Sequence, residues 1–305
     1  MNKSSIMHYL GLDIGGTKIA AAIFQDDGEQ LYYQRFETIK DDYEAFLSHV
    51  VKIIETANNQ FAQDINIGIG LPGAICPKTN KFKNSNILEI NGKSLKQDLE
   101  KRLERAIFLA NDADCFALSE ALFGAAKEYP SAFGVIIGTG CGGGIVYNKQ
   151  LVKGPNNVAG EWGHNQLPYL NTATDLTPEP CYCKSTACNE LFLSGTGFAA
   201  RYNAQYGTEL TSQQIMAARN ESESAKAHYH NYIDQLARAL SQVVNVFDPY
   251  AIVLGGGMSN ETGIYEDLPQ ALSKYVFGGK CSTPILKAQL GDDSGVKGAA
   301  FLCVS

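Results

Sequence analysis

The chain has 305 residues, 45% of them apolar, and a net charge of −7 with no basic arm. That length suffices for two domains with substantial cores, and the charge lacks the positive footprint needed to bind a phosphate backbone, so nucleic acid is not an expected partner. Met1 to Leu10 has no signal-peptide pattern and no segment approaches the roughly 20 apolar residues of a membrane span, so the expectation is a soluble, cytoplasmic protein without a membrane partner.

Tyr9 to Leu12 reads as a strand, Asp13 to Thr17 as a turn and Ile19 to Phe24 as a second strand. Asp26-Asp27-Gly28 turns the chain again before Leu31 to Phe36, which predicts an antiparallel meander. Tyr43, Phe46, Leu47, Val50, Val51 and Ile54 recur at helical spacing and predict one buried stripe. Ile65, Ile67 and Ile69 alternate along a strand that runs into Leu71-Pro72-Gly73. The theme then repeats, with a strand at Ala106 to Ala110, Asn111-Asp112 at its end and a helix from Ala113 to Ala126. Phe133 to Ile137 and Ile145 to Tyr147 follow as strands around a glycine-rich turn. Pro168 to Pro180 reads as a loop, and about Ala225 to Val246 as a long helix. Two similar strand-turn-strand units predict a duplicated α/β fold with ligands at the carboxyl ends of strands.

Three glycine clusters sit at such strand ends. Asp13-Ile14-Gly15-Gly16-Thr17-Lys18 sets a carboxylate before two residues without side chains, where backbone N–H groups can approach a phosphate; a plain glycine hairpin is the alternative. Gly138-Thr139-Gly140-Cys141-Gly142-Gly143-Gly144 contains a GxGxxG match, but a strand follows instead of a helix, so a phosphate cradle is expected and not a dinucleotide fold. Leu254-Gly255-Gly256-Gly257-Met258-Ser259 ends an apolar run and leaves room for a flat adenine. No GxxxxGK[ST] sequence occurs, which excludes a P-loop enzyme.

Phosphoryl transfer to an alcohol needs a base at the attacking hydroxyl and charge neutralisation by Mg²⁺. Asp112 suits the base and Asp13 the magnesium, through water; capping the next helix is the competing role for Asp112. Gly160-Glu161-Trp162-Gly163-His164 and Glu190 offer polar groups for a polyol, or else ordinary surface glutamates. Of eight cysteines, Cys181, Cys183 and Cys188 crowd together. With His164 they form a set suited to structural zinc, buried free thiols being the alternative.

Together these motifs resemble the ROK family of repressors, open reading frames and sugar kinases, over nearly the whole chain. Asp13 to Lys18 is similar to its first phosphate motif, Gly138 to Gly144 to its second and Leu254 to Ser259 to its adenosine motif. Asn111-Asp112-Ala113 resembles its catalytic segment, and Gly160 to His164 with Cys181, Cys183, Cys188 and Glu190 its zinc-and-sugar signature. The resemblance implies two actin-like (ribonuclease H-like) α/β domains with a cleft between them. Residues 1–118 would form the small domain and 119–291 the large one with the zinc loop, a C-terminal helix at about 292–305 packing back on the first. It implies ATP held by Gly15, Gly16, Thr17, Lys18, Gly138, Thr139, Gly140, Gly142, Gly255, Gly256 and Gly257, and magnesium at Asp13. It further implies Asp112 as base, sugar contacts from Gly73, Asn86, Asn111, Asp112, Glu161, His164 and Glu190, structural zinc on His164, Cys181, Cys183 and Cys188, and a homodimer.

Within the family, Glu161 to Asn165, Cys181-Tyr182-Cys183, Ser194 to Phe198 and Phe277-Gly278-Gly279 are most similar to bacterial fructokinases of the mannokinase/fructokinase type. That implies phosphorylation of D-fructose at its 6-hydroxyl, with N-acetylglucosamine kinases and glucokinases as the alternative. The family's sugar-sensing repressors carry a winged-helix domain before the first glycine motif; only twelve residues precede Asp13, so that reading is disfavoured. One departure stands out: the family's cysteine segment usually has glycines where this chain has Lys184 and Ala187.

Overall fold

Residues 7–61, 65–175 and 180–305 are described by the structure, a computed structural model. Alternation sets the first sheet. In β1 (His8–Ile14), Leu10, Leu12 and Ile14 join one buried cluster while Tyr9, Gly11 and Asp13 face the opposite side, as pleating requires. β2 (Lys18–Gln25) and β3 (Gln30–Glu37) pair antiparallel to it as the expected meander, and β4 (Ile65–Gly70) pairs parallel on its other edge. Short β5 (Ala74–Ile75) and β6 (Phe82–Lys83) form a separate antiparallel pair, and β7 (Phe108–Ala110) completes the order β3-β2-β1-β4-β7.

One face of this sheet is covered by α1 (Tyr43–Asn58) and α2 (Leu95–Leu103), with Phe46, Leu47, Val50, Ile53 and Ile54 packed on the strand isoleucines and leucines. Each such burial contributes about 1.5–3 kcal/mol. The Asp42 carboxylate accepts from Ala45 N–H and starts α1. The other face holds α3 (Asp112–Leu122) and α9 (Ser294–Ala300), which pack on each other and on the strands. Here backbones meet: a Cβ on Gly68 would overlap the Ala299 carbonyl, and one on Gly298 the Cys115 carbonyl. α3 stops at Leu122, short of the expected Ala126, with Phe123 as its C-cap donating to the Ser119 carbonyl at 2.9 Å.

The second sheet contains β8 (Ser131–Ile137), β9 (Cys141–Tyr147), β10 (Gln150–Leu151), β11 (Ala251–Gly255) and β12 (Ile285–Lys287) in the order β10-β9-β8-β11-β12, with β11 parallel to both β8 and β12. Each sheet thus follows the same pattern of its third, second, first, fourth and fifth strand, the duplicated ribonuclease H-like topology. β9 starts four residues earlier than the apolar run suggests, because Gly143 and Gly144 are strand residues pressed by Trp162 and by the Ala113 carbonyl. The helices that follow are α4 (Glu190–Leu193), α5 (Gly195–Tyr206), α6 (Ser212–Ala217), α7 (Glu223–Phe247) and α8 (Gly263–Ser273).

From α7, Arg238 donates to both Asp175 carboxylate oxygens, at 2.6 and 3.0 Å, and to the Pro168 and Tyr169 carbonyls at 3.0 Å. These bonds hold the expected loop as far as Asp175; residues 176–179 of that loop lie outside the described residues. Contacts group Met1–Gly124, Gly144–Ala159 and Leu290–Ser305 into one unit, and Ala125–Gly143 with Gly160–Gln289 into another. No helix among the described residues is long and apolar enough to cross a membrane.

Candidate functional site

In the first unit the acidic candidates converge at strand ends. Asp13 leaves β1 on the α9 side, its carboxylate against Gly295. Burial, and then the charge of Asp112, push its pKa up to about 6. Asp112 is the first residue of α3, with its outer face open to solvent. Loss of surrounding water raises its pKa, against the lowering effect of the Ala113 and Asp112 backbone N–H groups. The capping role belongs to its neighbour: Asn111 is the N-cap, its Oδ1 accepting from Ala113 N–H at 2.9 Å. The Asp112 Oδ1 also accepts from that N–H at 2.9 Å. Asn111 Nδ2 donates to the Gly73 carbonyl at 3.2 Å, which joins two of the expected sugar residues.

Gly15, Gly16 and Thr17 lie between β1 and β2, and Lys18 opens β2, its carbonyl accepting from Gly15 N–H at 2.9 Å. Thr38 fastens this turn twice, through Oγ1 to the Gly15 carbonyl at 2.8 Å and through its N–H to the Thr17 carbonyl at 3.0 Å. A Cβ on Gly16 would stand 3.7 Å from Asn86 Oδ1 and 3.6 Å from Lys40 Nζ. Asn86 is thus placed beside the turn, together with a lysine that the sequence did not single out.

In the second unit, Gly138, Thr139 and Gly140 form the turn between β8 and β9, closed by Gly138 N–H to the Gly140 carbonyl at 3.0 Å, while Gly142 lies in β9. Glu190, first residue of α4, reaches this turn and accepts from Cys141 N–H at 3.0 Å. Gly255 ends β11, and Gly256, at φ +83°, packs so tightly on Ile137 and Gly138 that no side chain fits; Gly257 follows. The second and third glycine clusters are therefore neighbours.

The cysteine loop of the same unit folds onto the Trp162–His164 turn. Ligand atoms of His164, Cys181, Cys183 and Cys188 all lie within 4.8 Å of one another, a spread that suits one tetrahedral zinc on sulfur and nitrogen. His164 Nδ1 faces Cys181 Sγ at 3.7 Å, and the Cys183 and Cys188 sulfurs are 3.5 Å apart. The other nitrogen, Nε2, is met by Tyr182 Oη at 2.9 Å, with Glu161 Oε2 at 4.0 Å. Lys184 and Ala187, the two positions usually glycine in the family, have φ of +71° and +58°. The loop keeps the left-handed geometry without the residue that favours it.

Two ribonuclease H-like sheets, each with a glycine turn at its first strand, define an actin-like α/β protein. A family model described as "ROK family" matches residues 9–305, and the chain belongs to that family. The N-acetyl-D-glucosamine kinase of Pasteurella multocida (strain Pm70) is 39% identical over 300 residues, covering 97% of this chain and 99% of its own. The crystal structure of ROK hexokinase from Thermus thermophilus superposes with a TM-score of 0.85 at 27% identity, covering 97% of each chain. A ROK family glucokinase from Streptomyces griseus, in complex with glucose and AMPPNP, gives 0.74 at 26% identity, covering 98% of this chain and 99% of its own.

Proposed function

We propose that this chain is an ATP-dependent sugar kinase with N-acetyl-D-glucosamine as its acceptor. The observation that carries the reaction class is the Asp13 and Asp112 pair beside the Gly15-Gly16 turn, two carboxylates close enough for one to raise the pKa of the other. Asp112 takes the proton of the attacking hydroxyl while that oxygen bonds to phosphorus and the bond to the departing ADP oxygen breaks. A raised pKa makes Asp112 a stronger proton acceptor than an ordinary aspartate. Asp13 would hold magnesium through water, and that ion, when bound, neutralises phosphoryl charge.

Gly15, Gly16, Thr17 and Lys18 in one unit, and Gly138, Thr139, Gly140 and Gly142 in the other, are the candidate phosphate contacts, with Gly255, Gly256 and Gly257 for adenosine. Gly73, Asn86, Asn111, Asp112, Glu161, His164 and Glu190 are the candidate sugar contacts. Zinc on His164, Cys181, Cys183 and Cys188 fixes the loop that presents His164. A homodimer in the cytoplasm belongs to the same reading, and sedimentation of the purified protein tests the assembly.

The acceptor follows the full-length relatives. Fructose, expected from short segments, gives way because a relative 39% identical over 97% of this chain is named N-acetyl-D-glucosamine kinase. Fructose stays as the second reading on one observation: Tyr182, from a fructokinase-like segment, sits on the His164 nitrogen among the candidate sugar groups. A coupled ADP-release assay across N-acetylglucosamine, glucose, mannose and fructose tests both. The highest kcat/KM is expected with N-acetylglucosamine. A preference for fructose would reverse the choice of acceptor, and no ADP with any sugar would overturn the class.

A further inference from the structure

Tyr182 has no role in the site as described, yet it is not loose. It stands between two of the clustered cysteines and is 73% exposed. An exposed tyrosine ordinarily leaves its hydroxyl in water; this one lies 2.9 Å from His164 Nε2, its ring edge-on to the imidazole at 5.2 Å and 89°. The Glu161 carboxylate is 4.0 Å from the same nitrogen. Two of this unit's candidates for sugar recognition, His164 and Glu161, therefore cluster with this hydroxyl.

The proton inventory gives that hydroxyl a direction. His164 Nδ1 faces the sulfur cluster, and a cation bound there takes the Nδ1 lone pair and leaves the ring proton on Nε2. In that state the Nε2–H would donate to Tyr182 Oη and leave the phenol's own proton to point outward. We propose that Tyr182 is a sugar-contacting residue, its hydroxyl extending His164 outward and donating a hydrogen bond to an oxygen of the acceptor, while its ring limits bulk beside the imidazole. This rests on the sugar-kinase reading.

Trp162 is the chain's one tryptophan and is adjacent to Glu161, so its fluorescence is the expected readout of sugar binding without ATP or turnover, with isothermal calorimetry as the second measurement. Y182F should weaken sugar binding about three- to tenfold, the range of one neutral hydrogen bond. The sugar KM should rise by the same factor, with kcat, the KM for ATP and bound metal per chain unchanged. Y182A should weaken binding further and narrow the preference between small and bulky acceptors. Y182F that binds as wild type removes the contact, and tighter binding shows that Tyr182 competes with the sugar for His164. Loss of metal from Y182F assigns the residue to loop folding instead. Wild-type protein that releases no ADP with any sugar overturns the sugar reading, and this contact with it.

Discussion

Asp112 carries the sharpest expectation at the scale of single residues. D112N keeps the size of the side chain and removes its basicity, so kcat should fall by about 10²–10⁴ while sugar affinity, read from Trp162 fluorescence, stays within about twofold. A variant with wild-type turnover would remove Asp112 from the reaction. Asp13 makes a different prediction, on stability. Its carboxyl titrates at about 6 in the folded chain against an ordinary 3.8. A folded pKa above the unfolded one favours the native state while the proton is on; that contribution is complete below the unfolded value and lost as pH rises through about 6. D13N fixes the neutral form, so the metal-free variant should be about 3 kcal/mol more stable than wild type at pH 7.5 and nearly equal to it at pH 3.5. Urea midpoints at the two pH values measure this, and a gain independent of pH would show that Asp13 is not raised. Both acids were legible in the sequence because a glycine turn or a strand-to-helix step marks each. Tyr182 was not, since its role depends on a histidine eighteen residues away.

At the scale of elements, the cysteine loop shows what composition conceals. Lys184 and Ala187 hold left-handed backbone at a cost of roughly 1–2 kcal/mol each, offset in part because glycine is freer when unfolded. K184G and A187G should each tighten zinc retention by about fivefold, measured as the chelator concentration that removes half the metal. Weaker retention in both would show that the loop is not strained. The meander, α1 and α7 were readable because apolar periodicity reports burial of side chains. α9 left a fainter trace: where Gly68 meets Ala299 and Gly298 meets Cys115, burial is backbone against backbone and no apolar stripe records it. The Arg238 clamp on Asp175, 63 residues apart, was equally silent.

At the scale of the whole molecule, repetition is legible in the sequence because strand, glycine turn and strand occur twice, and the two sheets share one strand order. What the acceptor is was not legible at that scale, since phosphate turns are common to kinases of different sugars and discrimination rests on a few side chains such as Tyr182. The first unit is also discontinuous, drawing its last piece, Leu290–Ser305, from beyond the whole of the second. Synthesis therefore finishes the two in the reverse of their starting order. On a ribosome stalled shortly before Leu290 emerges, the second unit should already resist protease while the glycine-lined strands of the first stay open to cleavage. Equal protection of both in such nascent chains would show that the first unit closes without its final helix.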